Sequence, residues 1–206
     1  MNYQGKFLED KFVSNLTKFK KNGNYIDICG NRKSFNISET LENQLNFNGY
    51  HLYSQNDLIK FLKGDLKKLP NEIDALFIEI TFYHNTYTFS LRNMISQSVF
   101  DNYKFATIVF QHNIYNTNKF RQWDKPREFF KSKGYVLIFP DVGLEVDFYV
   151  HPDLVDMDYV NSIIEKNKKN YIPLSSWPHG LRLWRGSMHK KPHPVEKWIP
   201  VKSIEY

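Results

Sequence analysis

Short apolar runs, separated by polar turns, recur along the first 170 residues of the chain. They are rich in Ile, Val, Phe and Tyr, which favour strands, and Ile73–Ile80 is an apolar run typical of a central parallel strand. We therefore predict six strands, at Tyr25–Cys29, Tyr50–Tyr53, Ile73–Ile80, Lys104–Phe110, Tyr135–Pro140 and Glu145–Val150.

Between these runs, apolar residues recur at helical spacing. An amphipathic opening helix is predicted to carry Phe7, Leu8, Phe12, Leu16 and Phe19 and to stop at the Asn22-Gly23-Asn24 turn. Two further helices are predicted to start at Ser38 and Asn56. A weak helical pattern covers 89–103, and a helix over Lys125–Lys133 is predicted to end at Gly134. The last predicted helix covers about Asp153–Lys169.

Strands that alternate with helices predict a three-layer α/β sandwich with a mostly parallel sheet. The last two strands are joined only by Asp141–Leu144, so we expect them to pair as an antiparallel hairpin at one edge. Residues 1–170 would form this domain.

Residues 171–206 differ in composition from the rest of the chain. They hold five prolines and three tryptophans, and six basic against two acidic residues give them a charge of +4 of the total +6. Proline prevents a regular helix, whereas three tryptophans are a poor composition for a free tail. We interpret this segment as an extended basic arm that packs on its own domain or on a neighbour.

Composition narrows the class of protein. With 206 residues and 41% hydrophobic content, the chain can bury a real core. The single cysteine, Cys29, excludes a disulfide framework, and no apolar run reaches the length of a membrane span. Residues Met1–Lys6 show no signal-peptide pattern. These features together predict a cytoplasmic or virion-associated protein. The Lys/Asn/Ile bias is typical of AT-rich genomes, including viral ones.

Several phrases resemble the FkbM family of S-adenosylmethionine-dependent methyltransferases. Residues 25–33 read Tyr-Ile-Asp-Ile-Cys-Gly-Asn-Arg-Lys, similar to the family's Tyr-Ile-Asp-Ile-Gly-Ala-Asn-Asp-Gly. Residues 5–12 are similar to a phrase that precedes this motif in the family. Three further phrases follow the motif in the family, and similar ones stand here in the same order, at residues 111–113, 133–135 and 147–152. The resemblance covers roughly residues 4–155 and implies a Rossmann-like class I methyltransferase sandwich.

The departures from this pattern cluster around the cofactor site. Cys29 and Lys33 stand where the family has glycines, and their side chains would crowd a bound nucleotide. The phrase at 53–56 lacks the family's ribose-binding acid, and only residues 58–72 remain where the family has a further strand and an adenine loop. Phe82 replaces a glycine after Glu79. We expect one helix/strand unit to be shortened.

The resemblance implies which residues would serve a methyltransferase. Cofactor contacts would come from Asp27, Gly30, Asn31 and Tyr53, although Asp27 is equally an ordinary acid beside a helix start. Glu79 and His112 would lie at adjacent strand ends, where they would remove a proton from a sugar hydroxyl or form a structural hydrogen bond.

Other candidate chemistry is less distinctive. Cys29 lacks an identifiable catalytic partner, and His189 and His193 are separated by Pro192 with no further ligand, so we predict no metal. Aromatic and basic residues of the arm would stack on sugars or bases, or anchor a protein partner, which we prefer. These candidate partner-binding residues are Trp177, Arg182, Trp184, Arg185 and Trp198.

Two hypotheses follow from the sequence. The first is a methyltransferase-fold protein with a degraded cofactor site that acts as a binding, assembly or structural subunit, with a protein partner or a second copy of itself. The second is an active O-methyltransferase that uses S-adenosylmethionine on a sugar hydroxyl of a glycan. Nucleic-acid binding is not favoured by so modest a basic cluster.

Overall fold

The computed structural model places one mixed sheet at the centre of the protein, with helices beside it. The structure describes residues 9–28, 37–52, 56, 61, 69–79, 99–111, 124–142, 146–167, 204 and 206.

Six strands form the sheet, in the order β2-β1-β3-β4-β6-β5. The first four run parallel to one another, whereas β6 is antiparallel to both β4 and β5. This confirms the predicted α/β fold and the antiparallel pairing of the last two strands. The strands are β1 (Asn24–Ile28), β2 (Asn48–His51), β3 (Glu72–Glu79), β4 (Lys104–Gln111), β5 (Val136–Val142) and β6 (Val146–Val150).

Helices pack on both faces of this sheet. Because side chains alternate along a strand, Ala75 and Phe77 join one buried cluster while Leu76 and Ile78 join the other. The first face is covered by α1, α2 and α5, and the second by α3 and α4. The helices are α1 (Glu9–Leu16), α2 (Ile37–Leu45), α3 (Val99–Asn102), α4 (Asp124–Ser132) and α5 (Met157–Asn167).

Several helix ends differ from prediction. The opening helix stops at Leu16 because Lys18 and Phe19 adopt left-handed backbone angles, with φ of 52° and 55°, and Phe19 is exposed. The last helix starts at Met157, since the Asp156 carboxylate accepts the N–H groups of the first turn in an N-cap. α4 ends at Ser132, one residue before the predicted Lys133, and Gly134 follows it with φ of 87°.

Two strand ends also move. β2 begins at Asn48, two residues before the predicted start at Tyr50, and ends at His51. β5 continues through Pro140 to Val142 with two irregularities in its pairing. The predicted ends at Cys29, Tyr53 and Ile80 lie outside the described residues.

A buried hydrogen bond joins α1 to α2. The Thr40 hydroxyl of α2 donates to Asp10 Oδ2 of α1 at 2.7 Å, and both side chains are fully buried. A buried carboxylate needs such partners to offset its loss of water. This contact fixes α1 against α2.

Candidate functional site

The candidate site lies where β1 and β2 end at the same edge of the sheet. Asp27 of β1 and His51 of β2 are register partners, so their side chains leave the same face. β1 is flanked by β2 on one side and β3 on the other, and open α/β sheets bind ligands at such a reversal of strand order.

Four polar side chains meet at this point, and we call them the histidine cluster: Tyr25, Asp27, Glu42 and His51. His51 Nδ1 lies 3.2 Å from Asp27 Oδ2, and His51 Nε2 lies 3.2 Å from Glu42 Oε1. The Tyr25 hydroxyl donates to Glu42 Oε1 at 2.8 Å and lies 3.2 Å from His51 Nε2. The cluster thereby joins β1, β2 and α2.

These contacts favour the charged form of His51. Ionised carboxylates only accept hydrogen bonds, and a neutral imidazole has a single N–H to donate. Since each ring nitrogen faces a different carboxylate, both contacts are hydrogen bonds only when the ring is an imidazolium. Consistent with this, the hydrogen bond to Asp27 raises the pKa of His51 against the opposing effect of burial, and Glu42 raises it further.

Solvent exposure within the cluster increases from Asp27, which we call its dry end, to Glu42, which we call its wet end. The Asp27 side chain is 2% exposed, that of His51 23%, and that of Glu42 37%. Gly49 gives the cluster its space, because a Cβ there would collide with the Glu42 carboxylate and come within 2.5 Å of the Tyr25 hydroxyl. Glycine in this strand is therefore explained by a close approach of side chains.

The cluster holds charge and is poorly suited to accept a proton. A histidine base needs a ring nitrogen with a free lone pair within reach of its substrate. In His51 both ring nitrogens already contact polar groups of the same chain. The arrangement binds three elements together and neutralises Asp27.

The sequence-predicted site residues are only partly described. Asp27 is part of the histidine cluster, and Glu79 ends β3 with its Cα opposite that of Gln111, the residue before His112. The other predicted site residues lie outside the described residues, namely Gly30, Asn31, Tyr53, His112, Trp177, Arg182, Trp184, Arg185 and Trp198.

Sequence reasoning missed Tyr25, Glu42 and His51. Period-two alternation puts Tyr25 on the face of Asp27, so this residue had a signal in the sequence. His51 lies inside the predicted strand Tyr50–Tyr53, but it was missed because the family resemblance directed attention to the phrase at residues 53–56. Glu42 reaches the site from α2, which no local pattern indicates.

A second buried polar contact ties α4 to β6. Arg127 donates through Nε and Nη2 to the two oxygens of Asp147, at 2.7 and 2.6 Å, and the Tyr149 hydroxyl donates to Asp147 Oδ2 at 3.0 Å. Such a fork-shaped pair fixes geometry as well as charge. Burial, together with the negative charge of Asp147, raises the pKa of Tyr149.

A groove of about 430 Å³ lies beside this pair, between α4 and β5. Its floor is formed by Tyr135 and Tyr149, which belong to the buried cluster on the second face of the sheet. The histidine cluster lies on the first face, so the two features are separate.

The FkbM resemblance implies that Asp27 would meet the amine of a cofactor. In the structure Asp27 is almost fully buried and contacts His51. Among the described residues no group of three or more His, Cys, Asp and Glu side chains is arranged to hold a metal ion. No helix in the same part of the chain is long and apolar enough to cross a membrane.

Comparisons with known proteins add no family to these observations. No family model, no curated protein and no solved structure matches the chain.

Proposed function

We propose that this protein is a binding or assembly subunit built on an FkbM-like methyltransferase framework, and that it does not use S-adenosylmethionine. The sheet supports the framework: four parallel strands are followed by an antiparallel pair, as the resemblance implies. β2 lies at the edge of the described sheet, which agrees with loss of the strand that the family places beyond it.

The state of Asp27 carries the proposal. A carboxylate that receives the ammonium of a cofactor must reach the crevice without a competing cation. Asp27 instead contacts the His51 ring at 3.2 Å and is 2% exposed. Displacing His51 would cost the cluster its hydrogen bonds to both Asp27 and Glu42, so a cofactor amine would bind at a large penalty.

Calorimetric titration tests this proposal. We expect no saturable heat when S-adenosylmethionine is added to the purified protein at millimolar concentration. The matched variant Asp27→Asn removes the carboxylate charge and keeps the side-chain shape, so it controls for non-specific binding. Saturable heat in the natural chain that disappears in Asp27→Asn would contradict the proposal.

The second candidate function is O-methylation of a sugar hydroxyl of a glycan. The register of β3 and β4 favours it, because Glu79 lies opposite Gln111 and His112 follows directly in sequence. Two titratable groups at neighbouring strand ends are a common arrangement for proton removal. Methyl transfer that is lost in Glu79→Ala or His112→Ala would support this function, and equal activity in both variants would remove these residues from the reaction.

The partner-binding role is assigned to the arm of residues 171–206. Two described residues of this segment lie against the domain: Ile204 is buried in the core with α1, and Lys11 Nζ lies 5.1 Å from the centre of the Tyr206 ring. Tryptophan and arginine dominate the energetics of protein interfaces. We expect Trp184→Ala with Arg185→Ala to abolish partner capture or self-association in light scattering, whereas Lys202→Ala should not.

A further inference from the structure

Asp27 and Glu42 approach opposite nitrogens of one flat, positively charged ring. We propose that these two carboxylates form a seat for a small planar cation, and that His51 fills this seat from within the same chain. The inference deepens the proposed function and rests on it, because the carboxylate that would receive a cofactor amine already holds an internal cation.

The buried carboxylate of Asp27, at the dry end of the seat, needs a positively charged partner. A buried ionised carboxylate is costly unless it is paired and hydrogen-bonded. Asp27 is almost fully buried and lies beside the ring nitrogen of His51. If the His51 side chain is removed by mutation, another positively charged group is therefore needed at the same place.

At the wet end of the seat, Glu42 and Tyr25 favour a flat ligand that carries a second N–H group. Glu42 Oε1 and the Tyr25 hydroxyl both lie 3.2 Å from His51 Nε2, and the Tyr25 and His51 rings are nearly perpendicular at 85°. A ligand must carry N–H donors on opposite sides to reach both carboxylates. Imidazolium and guanidinium ions have this form, whereas a spherical cation does not.

The seat is open enough to exchange its occupant once the covalent tether is cut. The His51 side chain is 23% exposed and that of Glu42 is 37% exposed, so solvent reaches the ring from the α2 side. Gly49 adds no side chain of its own to the space that Tyr25 and Glu42 occupy. Removing the imidazole should leave a cavity of its own shape with both carboxylates in place.

Chemical rescue of His51→Gly tests the seat. At about pH 6, imidazolium should raise the melting temperature of this variant by roughly 2–4 °C when its concentration is about four times the dissociation constant. Guanidinium at low concentration should compete for the same site. The natural chain should show no such rise, because its seat is filled.

Two control variants make the test specific. The double variant Asp27→Asn/His51→Gly keeps the cavity and lacks the dry carboxylate, so imidazolium should not stabilise it. His151→Gly creates a similar cavity beside an aromatic ring and should not respond either. Equal stabilisation of all three variants, or none in a folded His51→Gly, would overturn the proposal.

A spectroscopic measurement on the natural chain covers the case in which His51→Gly does not fold. Nitrogen-15 NMR distinguishes an imidazolium, with two protonated ring nitrogens, from a neutral ring. We expect the imidazolium signature for His51 at about pH 6, because each ring nitrogen lies 3.2 Å from a carboxylate oxygen. A neutral His51 ring at that pH would overturn the proposal, and neither readout depends on the cofactor titration.

Discussion

Two histidines at opposite edges of the sheet have pKa values that are shifted in opposite directions. His51 lies at the carboxyl edge, and each of its ring nitrogens is 3.2 Å from a carboxylate oxygen. His151, at the amino edge beside the start of β4, accepts the Asp153 backbone N–H at Nδ1 and packs edge-on against Tyr135 at 5.1 Å. A ring that accepts at Nδ1 is neutral. Burial lowers the pKa of His151, whereas hydrogen bonding to Asp27 raises that of His51.

This difference shows that the carboxylates beside a histidine affect its pKa more than the edge of the sheet on which it lies. The nearest carboxylate of His151 is Asp153, at 3.8 Å, and that side chain is 62% exposed and bound to Lys104. The carboxylate of Asp27 is buried and directed at His51. A fixed, dry carboxylate makes a cation, and a solvated one leaves the ring to pack as a flat hydrophobic group.

The largest expected effect comes from the glycine beside each histidine. In Gly49→Ala the new Cβ meets the fully buried Tyr25 ring and the Glu42 carboxylate, so we expect a loss of about 3 kcal/mol in the free energy of unfolding. In Gly134→Ala the nearest atom, His151 Nε2, is 3.6 Å away, and only the positive φ of 87° costs about 1 kcal/mol. Urea unfolding of both variants measures the ratio, and equal losses would contradict it.

Removing the buried charge is the next largest change. Asp27→Asn keeps the shape of the side chain but leaves His51 without its dry counter-ion, so the expected loss is about 2 kcal/mol near pH 6. The matched variant Asp153→Asn, at the other histidine, should unfold at the same urea concentration as the natural chain. A larger loss in Asp153→Asn would reverse the contrast between the two edges.

Opposite responses to pH provide a third contrast. The folded pKa of His51 lies above its ordinary 6.5, so its stabilisation is complete below pH 6.5 and is lost as pH rises through the folded pKa. The folded pKa of His151 lies below 6.5, so its stabilisation is complete above pH 6.5 and is lost as pH falls through the folded pKa.

Melting curves across this range measure both signs. The stability difference between the natural chain and His51→Gln should shrink as pH rises, whereas the difference from His151→Asn should shrink as pH falls. Asparagine can accept the Asp153 N–H in place of Nδ1, so the second variant isolates the titration. Parallel pH profiles for the two variants would show that both rings have the same charge.

Much of the fold could be predicted because local patterns report burial. The α/β alternation follows from the apolar runs, and the short link between β5 and β6 indicated their antiparallel pairing, which the structure has. The errors fall where a single backbone angle or cap decides. Phe19 continues the apolar spacing but lies beyond the helix end, and Asp156 rather than Asp153 opens the last helix.

The candidate site was less predictable, since it depends on register between distant segments. Asp27 was singled out through the family resemblance at residues 25–33, but its partner depends on the register of β2 against β1. The resemblance directed attention to Tyr53, whereas the register partner of Asp27 is His51. Glu42 enters only through the packing of α2 on the sheet, for which the sequence has no short-range signal.

The smallest expected effect concerns the wet end of the histidine cluster. Glu42→Gln keeps an oxygen for His51 Nε2 and for the Tyr25 hydroxyl and removes only a partly solvated charge, so we expect about 0.5 kcal/mol of destabilisation. NMR titration should show that this variant lowers the pKa of His51 less than Asp27→Asn does, because the bond to Asp27 is the larger cause of the raised value. The reverse order would mean that the solvent-facing carboxylate controls the ring. The two edges of the sheet would then differ in the number of carboxylates near the histidine, and the dryness of Asp27 would not explain its charge.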